Sequence, residues 1–132
     1  MAKLRHIAIA AEDPFATAEF YKKAFALEEV GRKEFSNPET SYGVFLSDGT
    51  ISLAILHFGW DQGHGIDFRG IHHLGFVVEN LDGVTEELQS MGASCFEKRP
   101  KNAHGYSENK FIGPDKVIFD VVDNPWLGAT KD

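Results

Sequence analysis

The second half of the chain echoes the first. His6-Ile7-Ala8-Ile9 returns as His73-Leu74-Gly75-Phe76, 67 residues later in a chain of 132. At the same offset Glu12 falls on Glu79, Glu19 on Glu86, Asp48 on Asp115 and Leu53 on Asp120. A repeat constrains a fold more than any local propensity does. Each copy must form the same supersecondary unit, and neither can bury its apolar face alone. The register holds at both ends of each half without a net insertion. The copies differ at a few positions, and chemistry is expected there.

Each half reads as one strand, one helix and three more strands. Residues 4–11 are short, apolar and bounded by charge, so they form a strand. Alternation puts His6, Ala8 and Ala10 on one face, with Arg5, Ile7 and Ile9 on the other. Asp13 is a suitable N-cap, and Pro14 sits where a missing N–H does no harm. Apolar residues at helical spacing follow to residue 27, with Lys22 and Lys23 on the wet side. Strands are expected over 29–36, 42–46 and 51–58, with Ser36-Asn37-Pro38-Glu39 and Ser47-Asp48-Gly49 as turns between them.

Residues 59–69, rich in glycine and polar side chains, form the linker. The second half then gives a strand at 71–78 and a helix at 81–91, capped by Asn80 or Asp82 and closed by Gly92. Further strands follow at 94–98, 108–112 and 117–122, and the tail at Asn124-Pro125-Trp126 ends the last one. The expected architecture is α+β: a single domain of 1–132, with βαβββ modules at 4–58 and 70–123.

Composition narrows the function classes. A net charge of −7 and a pI near 5.3 speak against a generic nucleic-acid or anionic-membrane surface. The single cysteine, Cys95, has no partner within the chain, which points to a reducing compartment. Met1-Ala2-Lys3-Leu4-Arg5 leads straight into a strand-like run and does not resemble a signal peptide, and no apolar run of about 18 residues occurs in the sequence, so a cytoplasmic location is expected. P-loop, G-x-G-x-x-G, C-x-x-C and G-x-S-x-G patterns are all missing from the sequence.

A βαβββ duplication with histidine on the first strand of each module resembles the vicinal oxygen chelate superfamily. Its members include glyoxalase I, extradiol dioxygenases, methylmalonyl-CoA epimerase, and the fosfomycin- and bleomycin-resistance proteins. The resemblance runs from about residue 4 to residue 123. It implies a cupped mixed sheet with the helices outside, cradling one divalent metal per chain (Fe, Mn, Zn or Ni). It also implies ligands from the first and last strands: His6, His73 and, in a last strand reading Asp115-Lys116-Val117-Ile118-Phe119-Asp120-Val121, the carboxylate of Asp120. Two imidazoles and one carboxylate with open positions match the ligand chemistry of non-haem Fe(II) oxygenases. The 67-residue offset puts Leu53 at the fourth ligand position, where leucine cannot ligate, so a four-ligand glyoxalase I site is incomplete.

Other candidates surround this set. His57 has the strand parity of Leu53 and is either a cavity-rim residue acting in proton transfer or a plain strand-end histidine. His72 has the opposite parity to His73, is expected to point away from the metal, and is read as structural. His64 and His104 lie in loops. Ring-cleaving relatives carry a tyrosine ten residues before the ligand carboxylate; that position here is Lys110, with Tyr106 nearby on a loop. Lys98, Arg99, Lys101 and Lys110 form a basic cluster, either a solvated edge or a counter-charge for an anionic substrate.

The resulting expectation is a metal-dependent enzyme, homodimeric as the resemblance implies, acting on a small oxygenated substrate, with oxygenase-like chemistry preferred. The alternatives are a glyoxalase-type lyase or isomerase, and a metal-free binding protein of the bleomycin-resistance kind.

Overall fold

The computed structural model describes residues 1–34 and 41–132. The first module comprises β1 (Lys3–Ala10), α1 (Pro14–Phe25), β2 (Glu28–Lys33), β3 (Tyr42–Ser47) and β4 (Ser52–His57). The second comprises β5 (Gly70–Val77), α2 (Leu81–Ser90), β6 (Ser94–Arg99), β7 (Glu108–Ile112) and β8 (Ile118–Val122), with a single 3-10 turn at Pro114–Lys116 before β8. The far end of the expected strand 29–36 and the turn Ser36-Asn37-Pro38-Glu39 lie outside the described residues. No helix among the described residues is long and apolar enough to cross a membrane.

The helix starts follow from local chemistry. Asp13 Oδ1 accepts the backbone N–H groups of Phe15 and Ala16, two donors that the first turn would otherwise leave unpaired. Asn80, not Asp82, caps α2, through the Gly83 N–H at 3.0 Å. Helix α1 stops at Phe25 because Ala26 turns left-handed (φ 56°), two residues short of the apolar pattern.

All eight strands join one sheet in the order β2-β3-β4-β1-β5-β8-β7-β6, which mirrors itself about its centre. There β1 and β5 run antiparallel, while β4 and β8 flank them in parallel. The helices cover the outer face. Ala18 of α1 packs with Val44, Leu46 and Ile55; Val84 and Leu88 of α2 pack against Phe111 and Val121. The inner face carries Ala8, Ala10, Ala54, Leu56 and Phe58, closed over by Trp126 from the C-terminal tail.

Two details of register position the site. Ala8 pairs with Ala54, while its repeat mate Gly75 pairs with Asp120. The offset is therefore 67 residues in the first strands and 66 in the last, so the second module is one residue shorter. The counterpart of Asp120 is Ala54 on the inner face; Leu53 matches Phe119 and packs towards α1. Secondly, β1–β5 pairing slips twice, leaving Arg5 and His72 without opposite numbers. These positions are 67 residues apart, so the bulge itself is repeated.

Candidate metal centre

His6 and His73 enter the inner face from the two central strands, and Asp120 enters from β8 beside them. All three are essentially fully buried. His6 Nε2 lies 3.2 Å from Asp120 Oδ2, and His73 Nε2 lies 2.9 Å from the same oxygen. The three ligand atoms all fall within 4.8 Å of one another.

Room for His6 depends on position 75. His6 and Gly75 are direct partners across the β1–β5 ladder, and a Cβ on residue 75 would collide with the His6 imidazole. On its other side the ring stacks on Trp126, centroids 3.7 Å apart and planes within 11°.

These residues fit a divalent cation. Two ligand atoms about 2.1 Å from a shared ion and roughly at right angles lie about 3.0 Å apart, close to the observed separations. His73 Nε2 is buried and its 2.9 Å contact with Asp120 Oδ2 is out of hydrogen-bond alignment, so a cation between the two atoms would satisfy both. Burial holds both imidazoles below their ordinary pKa of 6.5, against the pull of Asp120, so both stay neutral and able to ligate. Burial alone would raise the Asp120 carboxyl. His73, Lys110 and the His6 hydrogen bond outweigh it and hold the group well below its ordinary value.

A charged network continues from Asp120. Lys110 Nζ bonds Asp120 Oδ1 at 2.9 Å and lies 3.4 Å from Glu108 Oε2. Glu108 Oε1 accepts the indole N–H of Trp126 at 2.9 Å, while Arg99 stands 3.6 Å from Oε2. Desolvation of Lys110 is overcome by these two carboxylates, and its pKa is raised. Glu108 is also raised, by burial first and by Asp120 second.

His73, Lys110, Glu108, Arg99 and Tyr106 share the wall of a cavity of about 160 Å³ with Phe45, Leu56, Phe58, Trp60 and Trp126; Lys33, Ser41 and Gln62 complete it. Burial raises the Tyr106 phenol. A larger groove, about 560 Å³, runs along the start of α2 past Lys98, Arg99 and Asn109. It contains none of His6, His73 and Asp120.

The expected site residues thus separate. His6, His73, Asp120, Lys110 and Tyr106 come together. His57 instead faces the outer side, stacked on Tyr42 with Nδ1 3.2 Å from the Glu12 carbonyl, and it does not line the cavity. Of the basic cluster, Lys110 is buried and Arg99 half-buried, while Lys98 and Lys101 are exposed. His72, expected to point away, instead sits 2.8 Å from His73, Nδ1 to Nδ1. Its pKa falls to about 3, through burial and then the proximity of His73. Glu108 and Trp126 escaped the sequence reading. Glu108 shares the period-two face of Lys110 on β7, a signal that was present but looked like ordinary strand polarity.

Comparison with known proteins agrees with this fold. The model of the Glyoxalase/Bleomycin resistance protein/Dioxygenase superfamily matches residues 3–121. Glyoxalase I of Saccharomyces cerevisiae is 24% identical over 147 aligned positions, covering 90% of this chain and 44% of that protein. The chain therefore spans less than half the length of that relative. Among solved structures, a variant of Streptomyces coelicolor methylmalonyl-CoA epimerase in complex with 2-nitronate-propionyl-CoA superposes with a TM-score of 0.72, at 19% identity over 91% of this chain and 95% of that one. A hypothetical protein from Bacillus halodurans C-125 gives 0.76, at 19% identity over 98% and 99%.

Proposed function

This chain belongs to the Glyoxalase/Bleomycin resistance protein/Dioxygenase superfamily, and from that premise we propose that it is a divalent-metal-dependent enzyme moving a proton on a small, anionic, oxygenated substrate. The observation that carries the reading is the meeting of His6, His73 and Asp120 beside a cavity that also contains a buried carboxylate, Glu108. A divalent metal held there would act as a Lewis acid on neighbouring substrate oxygens.

The remaining chemistry falls to the chain's own side chains. Glu108 takes the proton from a carbon next to the substrate carbonyl. The electron pair of the broken C–H bond moves onto the carbonyl oxygen, and the proton returns to the same carbon or its neighbour. A raised carboxyl pKa makes Glu108 a stronger base than a solvated glutamate. Lys110 keeps Asp120 and Glu108 apart in charge, and Arg99 and Tyr106 offer donors at the wall.

Size and charge support the substrate class. A cavity of about 160 Å³ is smaller than the roughly 300 Å³ at the lower end for drug-sized ligands. Asp120 and Glu108 balance Lys110 and Arg99, so a bound dication leaves positive charge for an anion to neutralise. Fourth-ligand help is missing on the first-module side, where Ala54 stands opposite Asp120.

The oxygenase reading, which the sequence puts first, becomes the second one here; it is favoured by the two-histidine, one-carboxylate set, with no fourth ligand in the cluster among the described residues. One experiment separates the two. Metal-loaded protein is offered small hydroxy- and keto-acids in D2O, with C–H exchange followed by NMR and dissolved oxygen by electrode. Exchange without oxygen uptake is expected, falling at least about 100-fold in Glu108→Gln. Oxygen consumption matched to substrate loss would favour the oxygenase instead.

A further inference from the structure

The side chain that the strand pattern turns away from the metal centre is the one bonded to its ligand. In a regular strand, adjacent residues face opposite sides. Here Ala8 pairs with His73 and Ile9 with Ile71, so His72 is the extra residue of a β-bulge. A bulge sets two residues of one strand against one of its partner and re-aims a side chain. Both imidazoles thus reach the inner face, Nδ1 to Nδ1 at 2.8 Å.

We propose that His72 is the positioning residue of the metal centre: its Nδ1 accepts the Nδ1–H of His73, fixing the tautomer that leaves the His73 Nε2 lone pair free for a divalent cation. Only one of the two facing nitrogens can carry the bridging proton. A cation can bind His73 Nε2 only if that nitrogen carries no proton, and its contact with Asp120 Oδ2 at 2.9 Å lacks hydrogen-bond alignment. The proton therefore belongs on His73 Nδ1, and His72 carries its own on Nε2.

The surroundings hold His72 for this task. His64 Nε2–H donates to the His72 backbone carbonyl at 2.8 Å, tying the bulge to the linker. Phe58 packs on the His72 ring at 4.3 Å between centroids. The linker loop is fixed in turn by Asp61 Oδ1, which accepts the N–H groups of Gly63 and Gly65.

The arrangement belongs to the second module alone. Arg5, the repeat mate of His72, bonds the Thr130 and Asp132 carbonyls instead, and His6 Nδ1 makes no hydrogen bond. The two imidazoles therefore differ on their Nδ1 sides: that of His73 is hydrogen-bonded to His72, while that of His6 makes no hydrogen bond and its ring stacks on Trp126. Outer partners of this kind orient the ligand ring and raise its basicity.

This inference rests on the proposed metal centre, and its test is built so that either can fail alone. Protein labelled with 15N-histidine is examined by NMR without metal and then with zinc chloride as the only addition. A 15N–15N coupling across the hydrogen bond is expected in both states, with the bridging proton on His73 Nδ1. Isothermal titration should show zinc binding about 10- to 100-fold weaker in His72→Phe. His72→Gln, whose amide oxygen accepts the same proton, should recover most of that loss.

A bridging proton on His72, or zinc binding in a folded His72→Phe equal to the parent, would overturn the assignment. If the parent binds no zinc, the metal centre falls while the metal-free spectrum still decides the tautomer. If His72→Phe does not fold, the parent's coupling decides alone.

Discussion

Glycine at position 75 is required by the imidazole across the ladder from it. The His6 ring occupies the volume that a β-carbon at residue 75 would need. In Gly75→Ala the ring must leave its place or the central strands must part. Overpacking of this kind costs about 1–3 kcal/mol, and the displaced Nε2 no longer meets Asp120. We expect Gly75→Ala to fold with reduced stability in urea and to lose stoichiometric metal. Full metal content in the purified variant would show that His6 does not ligate. Legibility at this scale was uneven. His6 and His73 stood out because they recur at one spacing, and Asp120 because it closes a familiar last-strand pattern. Glu108 carried no such mark: a glutamate at a strand end looks solvated until the tail folds Trp126 against it.

Strands and helices were easier to read than the irregularities that aim their side chains. Alternation and capping locate both α-helices and all eight strands among the described residues, because those signals are local, but not the 3-10 turn at Pro114–Lys116. A bulge shifts parity without changing composition, so simple alternation turns His72 away from the face it in fact occupies. A one-residue difference between modules likewise moved the vacant ligand position from Leu53 to Ala54. His57 shares the parity of Leu53, so both face the outer side, and of its two readings the strand-end histidine fits and the cavity rim does not. The tail after β8 was underestimated too. It looked like a simple stop after the strand, yet Trp126 stacks on His6 and donates to Glu108. Trp126→Ala should cost about 3–5 kcal/mol in chemical denaturation, because it opens a void beside His6 and leaves Glu108 without its indole donor. Trp126→Phe keeps a ring against His6 and should cost less. Equal losses would show that the hydrogen bond, not the stacking, holds the tail.

For the whole molecule, the buried polar centre sets how stability responds to pH. Burial holds His6, His72 and His73 below the 6.5 of a free histidine. As pH falls through that value the unfolded chain takes up protons that the native state refuses, so the native state loses ground. Glu108 acts in the opposite sense. Its carboxyl is raised above 4.5, so its protonation in the native state favours folding as pH falls, but it is one group against three. Asp120 is held well below 3.8 and its contribution is lost only at more acid pH. The melting temperature of the metal-free protein should therefore decline steadily from about pH 7.5 to about pH 5. Added zinc should raise the melting temperature most at the neutral end, since bound metal stabilises the native state. That increment should shrink towards acid pH, where protons compete for the imidazole ligands. Calorimetry with and without zinc across this range measures both trends. A zinc increment independent of pH would mean that the bound ion does not depend on histidine, and would remove His6 and His73 from the site together.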